Sequence, residues 1–257
     1  MLSIKPDQIY FLPAVVTVAG AFDQALSIYE TNILGSAKFF EALIRLNLNP
    51  KILIPGSAEE YGPVNNRHLP IKETQDLAPA NPYGLSKSLQ ERLTQYYVRR
   101  HRLHVSITRT FHFTGPYQSP SFVISDFALQ IARIESGLAK PVIAVGNLSA
   151  RRDFTDIRDV VHAYHLIMNS KSPDIFNVCS GKSVAIKDML DLLLSKTRVN
   201  IKVQKDPKKM RPVDVKDFRG DYTKLRAKTG WRPKISLETM VEDVLNYHRG
   251  QFQRTNN

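Results

Sequence analysis

Short apolar runs alternate with longer stretches of helical periodicity along most of this chain. Four runs are rich in β-branched and aromatic residues: Gln8–Leu12 (QIYFL), Lys51–Ile54 (KILI), Val105–Thr110 (VSITRT) and Asp174–Val178 (DIFNV). Between the first two, Ile28, Leu34, Ala37, Phe40, Ala42 and Leu43 recur at roughly helical spacing over Ala25–Leu46. A second helical pattern, Tyr83–His101, carries Leu85, Leu89, Leu93, Tyr96 and Tyr97, and a third covers Phe122–Gly137, with Pro141 beyond it as a stop signal. Strands alternating with helices predict βαβ units and a parallel sheet. From Val184 the pattern changes to a helix at Ile186–Leu193, a short strand at Ile201–Val203, a charged loop, and helices around Tyr222–Thr229 and Leu237–His248. The expectation is a main α/β domain over residues 1–183, a smaller α/β lobe over 184–249 and a disordered tail over 250–257.

With 257 residues, 42% of them hydrophobic, the chain can bury a substantial core. The single cysteine, Cys179, rules out a disulfide framework and a multi-cysteine zinc site, and fits a reducing compartment. No apolar run reaches the ~18 residues that span a bilayer. Ile9–Phe22 has the look of a weak secretory leader, but Asp7 in its basic region and Pro13 in its apolar run favour a buried strand followed by a loop. A formal charge of +12 is scattered, and the densest cluster, Lys205–Arg211, is short. That pattern suits a solvated face or a site for an anionic small molecule better than a nucleic-acid groove.

Tyr83 and Lys87 stand four apart at the start of a predicted helix, which puts both side chains on one face. A nearby ammonium favours phenolate over phenol and would lower the tyrosine pKa. By spacing alone the two residues are equally an ordinary surface pair. Ser57 follows directly on the KILI strand, at the carboxyl end where open α/β sheets bind ligands; as bare sequence it is also a turn residue. The Arg151–Asp159 segment and Arg211-Pro212-Val213-Asp214 bring forked cationic donors suited to a diphosphate, with Asp214 a carboxylate suited to a ribose diol. The same arginines also read as surface charge.

Taken together, Ser57 in a Ser-x-x-x-Tyr-Gly segment and then Asn81-Pro82-Tyr83-Gly84-x-Ser86-Lys87 resemble the extended short-chain dehydrogenases/reductases that act on nucleotide sugars. The resemblance implies a catalytic triad of Ser57, Tyr83 and Lys87, in which Tyr83 exchanges a proton with the sugar oxygen while hydride passes to or from a nicotinamide. It makes Pro6–Ala14 the family's fourth strand, with Leu12 and Ala14 beside the cofactor, although Phe11 and Pro13 depart from the family's His-Leu-Ala-Ala. Asn32 belongs to an Asn-x-x-Gly segment on the cofactor side. Arg109–Pro116 is similar to a strand ending Arg-x-Phe-Asn-His-Thr-Gly-Pro, whose Asn touches the nucleotide sugar; His112 stands there in this chain. By the same resemblance Arg152 and Arg211 clamp the diphosphate, Asp214 contacts the ribose, and Asn147 lies on the substrate side. The segments Val145–Leu148, Arg152–Asp156, Asn177–Gly181 and Arg211–Val215 narrow the likeness to the group that holds GDP-6-deoxy-D-mannose reductases and GDP-mannose 4,6-dehydratases.

The family's Gly-x-x-Gly-x-x-Gly cofactor fingerprint does not occur in this sequence. The expected fold is therefore an incomplete Rossmann-type doubly wound parallel sheet with a smaller carboxy-terminal α/β substrate lobe. Its Gln8–Leu12 strand would be open on one side, and the cofactor, NAD(P)H by resemblance, would be weakly held. The leading functional expectation is NAD(P)H-dependent reduction of a GDP-4-keto-6-deoxy sugar. The alternatives are a GDP-mannose 4,6-dehydratase or related epimerase, with Glu59 at the place of the dehydratase general base, and a catalytically inactive nucleotide-sugar binding protein. The implied partner is a GDP-sugar rather than nucleic acid or a membrane. Resemblance adds a cytoplasmic setting and a homodimer formed through the helices that contain Asn32 and Tyr83.

Overall fold

The computed structural model describes residues 4–16, 20–210 and 215–253. In chain order the elements are β1 (Gln8–Tyr10), α1 (Ala25–Tyr29), a π-helical turn (Glu30–Leu34), α2 (Gly35–Arg45), β2 (Lys51–Ser57), a 3-10 turn (Ala58–Tyr61) and α3 (Pro82–His101). There follow β3 (His104–Thr110), β4 (His112–Thr114), α4 (Val123–Glu135), β5 (Val142–Val145), β6 (Arg151–Asp156), α5 (Ile157–Met168) and β7 (Ile175–Val178). The remainder is β8 (Ser183–Ala185), α6 (Ile186–Leu194), β9 (Lys202–Lys205), β10 (Asp217–Phe218), α7 (Thr223–Thr229) and α8 (Leu237–Gln253). The chain divides into two compact units: Met1–Phe111, Val161–Cys179 and Gly220–Arg232 form one, and His112–Val160, Ser180–Arg219 and Pro233–Asn257 the other.

The first unit holds a parallel sheet in the order β1-β2-β3-β7. Its inner strands are continuous apolar or small runs (Ile52, Leu53, Ile54; Val105, Ser106, Ile107), as expected where a parallel sheet is covered on both faces. Phe39, Phe40 and Leu43 of α2 pack against it, with Phe40 stacked on Tyr97 at 4.9 Å. Among the described residues β1 pairs on one side only, with β2. It is shorter than predicted: Phe11 N–H still donates to the Leu53 carbonyl at 3.0 Å, but Pro13, two residues on, has no N–H to give. Conversely β2 runs past the predicted Ile54 to Ser57. Lys51 and Leu53 bond the β1 side, so Pro55, of the same parity, faces that side beyond the end of β1 and needs no donor there.

Two predicted helices differ in an informative way. The single helix over Ala25–Leu46 is interrupted by the π-helical turn around Asn32, a device that often marks functional sites. In α3 the apolar periodicity does not mark the buried face. Leu85, Leu89 and Tyr96 are exposed, whereas Ser86, Lys87, Gln90, Glu91 and Thr94 are buried.

The second unit joins β10-β6-β4 in parallel, with β8 antiparallel to β6, and adds a parallel β5-β9 pair. Its main core cluster is apolar: Phe127 and Ile131 of α4, Ile143 and Val145 of β5, Leu190 and Leu193 of α6, and Val241 and Leu245 of α8. Helix α8 continues past His248 to Gln253, so residues 250–253 are helical rather than part of a disordered tail. The helix is tied down just before this stretch by long-range contacts: Arg249 makes a forked pair with Glu135 (both bonds 2.7 Å) and donates to the Lys196 carbonyl at 2.8 Å. No helix among the described residues is long and apolar enough to cross a membrane.

Candidate active site

Ser57 is the last residue of β2 and the N-cap of the Ala58–Tyr61 turn. Its hydroxyl accepts the Glu59 N–H at 3.2 Å, and Glu60 reaches back to accept the Ser57 N–H at 2.7 Å, a reciprocal capping box. Helix α3 begins close by because Asn81 caps it, accepting the Gly84 N–H at 2.8 Å, and Pro82 supplies a preset φ at the first helical position. Asn81 also donates to Glu59 Oε2 at 2.9 Å, tying the turn to the helix. The approach is tight enough to require glycine: a Cβ on Gly84 would lie 2.5 Å from the Glu59 carbonyl. These contacts bring the Tyr83 hydroxyl close enough to Ser57 for the serine to act on its ionisation.

Lys87 lies one turn further along α3 and is almost wholly buried. Its ammonium donates to the Pro55 carbonyl at 2.8 Å, the group left over where β1 ends, and to Gln90 Oε1 at 3.0 Å. Two of its three donors are thereby used. Burial pulls its pKa down to about 8, with Glu60 opposing the fall. Burial pushes the Tyr83 phenol well above its ordinary value, and the nearby Ser57 only partly offsets this. The sequence expectation that Lys87 depresses the Tyr83 pKa is therefore not met in this state: desolvation dominates, and the nearby Glu60 and Glu59 add to the rise.

Several motif residues turn out to be scaffolding. Arg109 makes a forked, buried pair with Glu91 (2.9 and 2.7 Å) and donates to the Tyr61 hydroxyl at 3.1 Å and the Glu73 carbonyl at 2.9 Å. Tyr61 in turn donates to Asn177 Oδ1 at 2.7 Å, and Asn177 donates to the Ile71 carbonyl at 2.9 Å. Three separate sequence motifs thus meet in one buried network that holds the Ala58–Tyr61 turn, α3, β3 and β7 together. In the second unit, Asp153 accepts the Ser180 and Gly181 N–H groups at 2.7 and 2.9 Å, and Asp159 accepts those of Lys234 and Ile235 at 2.8 and 2.9 Å.

The other sequence candidates are distributed as follows. Asn32 is buried and fully engaged: its Oδ1 accepts the Val15 N–H at 2.9 Å, and its Nδ2 donates to the Ser86 hydroxyl at 2.9 Å. It fixes the segment after β1 to α3, with Ala14 half-buried beside it in sequence and Leu12 exposed. In the second unit His112 stands on β4 with its ring edge-on to Phe154 (5.8 Å) and Phe218 (6.2 Å). Arg152, on the adjacent β6, is buried and donates to the Arg151 and Val215 carbonyls at 2.8 and 2.7 Å. Asn147 Oδ1 accepts the Ser149 N–H and hydroxyl in a loop turn. Arg211 and Asp214 lie outside the described residues. Sequence reasoning passed over Glu60, Asn81 and Gln90. The first two carried a signal, since Ser57-x-x-Glu60 is a capping-box pattern and Asn81-Pro82 a helix start.

A family model described as GDP-mannose 4,6 dehydratase matches residues 1–244. The chain is 32% identical over 242 residues to GDP-6-deoxy-D-mannose reductase of Pseudomonas aeruginosa, covering 94% of this chain and 80% of that protein. It is 29% identical over 249 residues to GDP-mannose 4,6 dehydratase 1 of Arabidopsis thaliana, covering 95% and 68%. Among solved structures it is similar to that of RMD from Pseudomonas aeruginosa complexed with NADPH, with a TM-score of 0.91 and 31% identity, covering 96% of this chain and 82% of that one. With the Ser57–Tyr83–Lys87 arrangement at the end of a parallel sheet, this chain belongs to the GDP-mannose 4,6-dehydratase family.

Proposed function

We propose that the chain reduces a GDP-4-keto-6-deoxy sugar. The observation that carries the reading is the buried Tyr83 side chain brought beside Ser57, with the Lys87 ammonium on the same helix face. A protonated phenol beside the reacting carbonyl can give its proton to a ketone oxygen as it becomes an alkoxide, the reductive direction. A cation beside it offsets the weakening of the acid by burial. The reduced nicotinamide, when bound, supplies the hydride to the carbonyl carbon. The nicotinamide end fits this chain: Lys87 keeps one donor, Tyr83 stands a turn away, and Asn32 holds Val15 in place.

In this reading Ser57 and Tyr83 donate hydrogen bonds to the ketone oxygen, and Tyr83 passes its proton to the forming alkoxide. The Lys87 ammonium stabilises the phenolate left behind. Leu12 and Ala14 are assigned to the wall beside the cofactor. His112, Asn147, Arg152, Arg211 and Asp214 are assigned to the GDP-sugar, the arginines to its diphosphate and Asp214 to its ribose. The single cysteine, Cys179, is buried and suits a reducing compartment, the cytoplasm. The exposed Leu26, Leu34, Leu85, Leu89 and Tyr96 support a homodimer through α1–α3.

The test is to follow consumption of reduced nicotinamide with a GDP-4-keto-6-deoxy sugar. Tyr83→Phe is expected to lower kcat by about 10²–10⁴-fold with little change in KM. Equal turnover by the variant would sink the assignment, and GDP binding without any turnover would favour an inactive binding protein. A second reading, dehydration of GDP-mannose, draws on the half-buried Glu59 carboxylate held by Asn81. It predicts that Glu59→Gln abolishes dehydration, whereas the reductase reading predicts that reduction survives.

A further inference from the structure

Glu60 is wholly buried. Its Oε1 accepts the Ser57 N–H at 2.7 Å, while Oε2 is buried without a hydrogen-bond partner. Leaving a buried carboxyl oxygen unsatisfied costs free energy that an apolar side chain at the same place would not incur. The carboxyl has also shaped the strand beside it. A Cβ on Gly56 would come 2.5 Å from Glu60 Oε1 and 2.6 Å from the Thr108 carbonyl, so only glycine admits the carboxyl under the end of β2. Such a group is not explained by packing.

Its surroundings supply a reason. Lys87 and Glu91 from α3 and Arg109 from β3 act on it electrostatically, with the Ser57 N–H from β2, and it acts in turn on Tyr83, which Glu59 also influences. Burial pushes the Glu60 pKa up to about 8 and Glu91 adds to the rise, while the Ser57 N–H, Arg109 and Lys87 draw it back. Lys87 is pulled down to about 8 by the same desolvation, and Glu60 resists. The two groups therefore titrate over one pH range as a linked pair. As Glu60 loses its proton, its negative charge helps Lys87 to keep the ammonium.

We propose that Glu60 is a positioning residue: its clamped carboxyl fixes the Ser57 backbone and sets the charge that Lys87 carries beside Tyr83. The inference rests on the reading of Tyr83 as proton donor, but its test does not depend on turnover. Infrared spectroscopy of the unmodified chain should show a protonated carboxyl at neutral pH that disappears as the pH is raised, and Glu60→Gln should lack it. In protein carrying ¹³C-labelled lysine, the Lys87 resonance, identified by its loss in Lys87→Met, should titrate at lower pH in Glu60→Gln. That variant keeps an amide oxygen for the Ser57 N–H. In turnover assays the alkaline limb of the kcat profile should also move to lower pH, with KM unchanged. An ionised Glu60 in the unmodified chain at neutral pH, or an unmoved Lys87 midpoint in the variant, overturns the proposal. Full activity of Tyr83→Phe would instead remove the parent reading and leave the spectroscopic result to stand by itself.

Discussion

Helix α4 buries Ile124, Phe127, Ala128, Ile131 and Ala132 on one face, whereas α3 buries Ser86, Lys87, Gln90, Glu91 and Thr94 and exposes Leu85, Leu89 and Tyr96. Both helices have apolar residues at helical spacing, and a sequence reading treats them alike. The difference lies in what each buried face meets. The α4 face meets apolar side chains from β5, α6 and α8, so apolar burial is its main stabilisation, with one buried polar pair, Ser125 and His248. The α3 face meets Pro55, Ser36, Asn32 and Arg109, and each of its polar groups needs a partner at a fixed distance. A face of that kind is costly to build and intolerant of substitution. It is found here where Tyr83 and Lys87 must be held in register.

The largest effects should come from breaking each face in its own way. Glu91→Ala leaves Arg109 buried and uncompensated and should cost about 3–5 kcal/mol in denaturant unfolding. Phe127→Ala should cost about 3–5 kcal/mol by opening a cavity. The comparison sharpens in the rescue. Replacing Glu91 and Arg109 together by leucine should recover most of the first loss, because no charge is then stranded, so a double variant as unstable as Glu91→Ala would break the argument.

A smaller effect is expected at the start of α3. Asn81→Ala should lower stability by about 1 kcal/mol through loss of the N-cap, and Asn81→Ser should restore most of it. Equal melting of all three proteins would show that Pro82 alone suffices to start the helix.

The two regions should also respond to pH with opposite sign. Near α3, the folded-state pKa of Glu60 is raised from 4.5 to about 8, so its contribution is fully present below 4.5 and is lost as the pH rises through 8. On α4, Arg249 holds Glu135 below its ordinary 4.5, so that contribution is present above 4.5 and lost as the pH falls through the folded value. Thermal melts across pH should show Glu60→Gln flattening the alkaline-side loss and Glu135→Gln the acid-side loss. The same change in both variants would refute the separation.

The smallest effect on folding is expected on the exposed side of α3. Leu89→Lys should change stability by no more than about 0.5 kcal/mol. It should nevertheless shift the chain toward monomer in light scattering if that face joins two copies. A wild-type protein that is monomeric at high concentration would count against the dimer.

Much of the fold was legible because apolar runs and helical periodicity are local signals. The β2, β3 and β7 strands and helices α4 and α6 fall where the pattern predicts them. The π-helical turn at Asn32 was not legible, because it depends on the Asn32 side chain holding Val15 and Ser86, a contact 54 residues away in the second case. The boundary of α8 depended likewise on a pair between Arg249 and Glu135.

The sequence by itself determined that this chain forms strands alternating with helices and carries Ser57, Tyr83 and Lys87 in a nucleotide-sugar pattern. Only the tertiary structure decided which face of α3 is buried, since hydrophobic periodicity has no term for a polar face many of whose hydrogen bonds reach residues far away in the sequence. It also decided that Arg109, Tyr61 and Asn177 are one scaffold and that burial raises the Tyr83 pKa. Those outcomes depend on desolvation and on partners far apart in sequence, which no local pattern encodes.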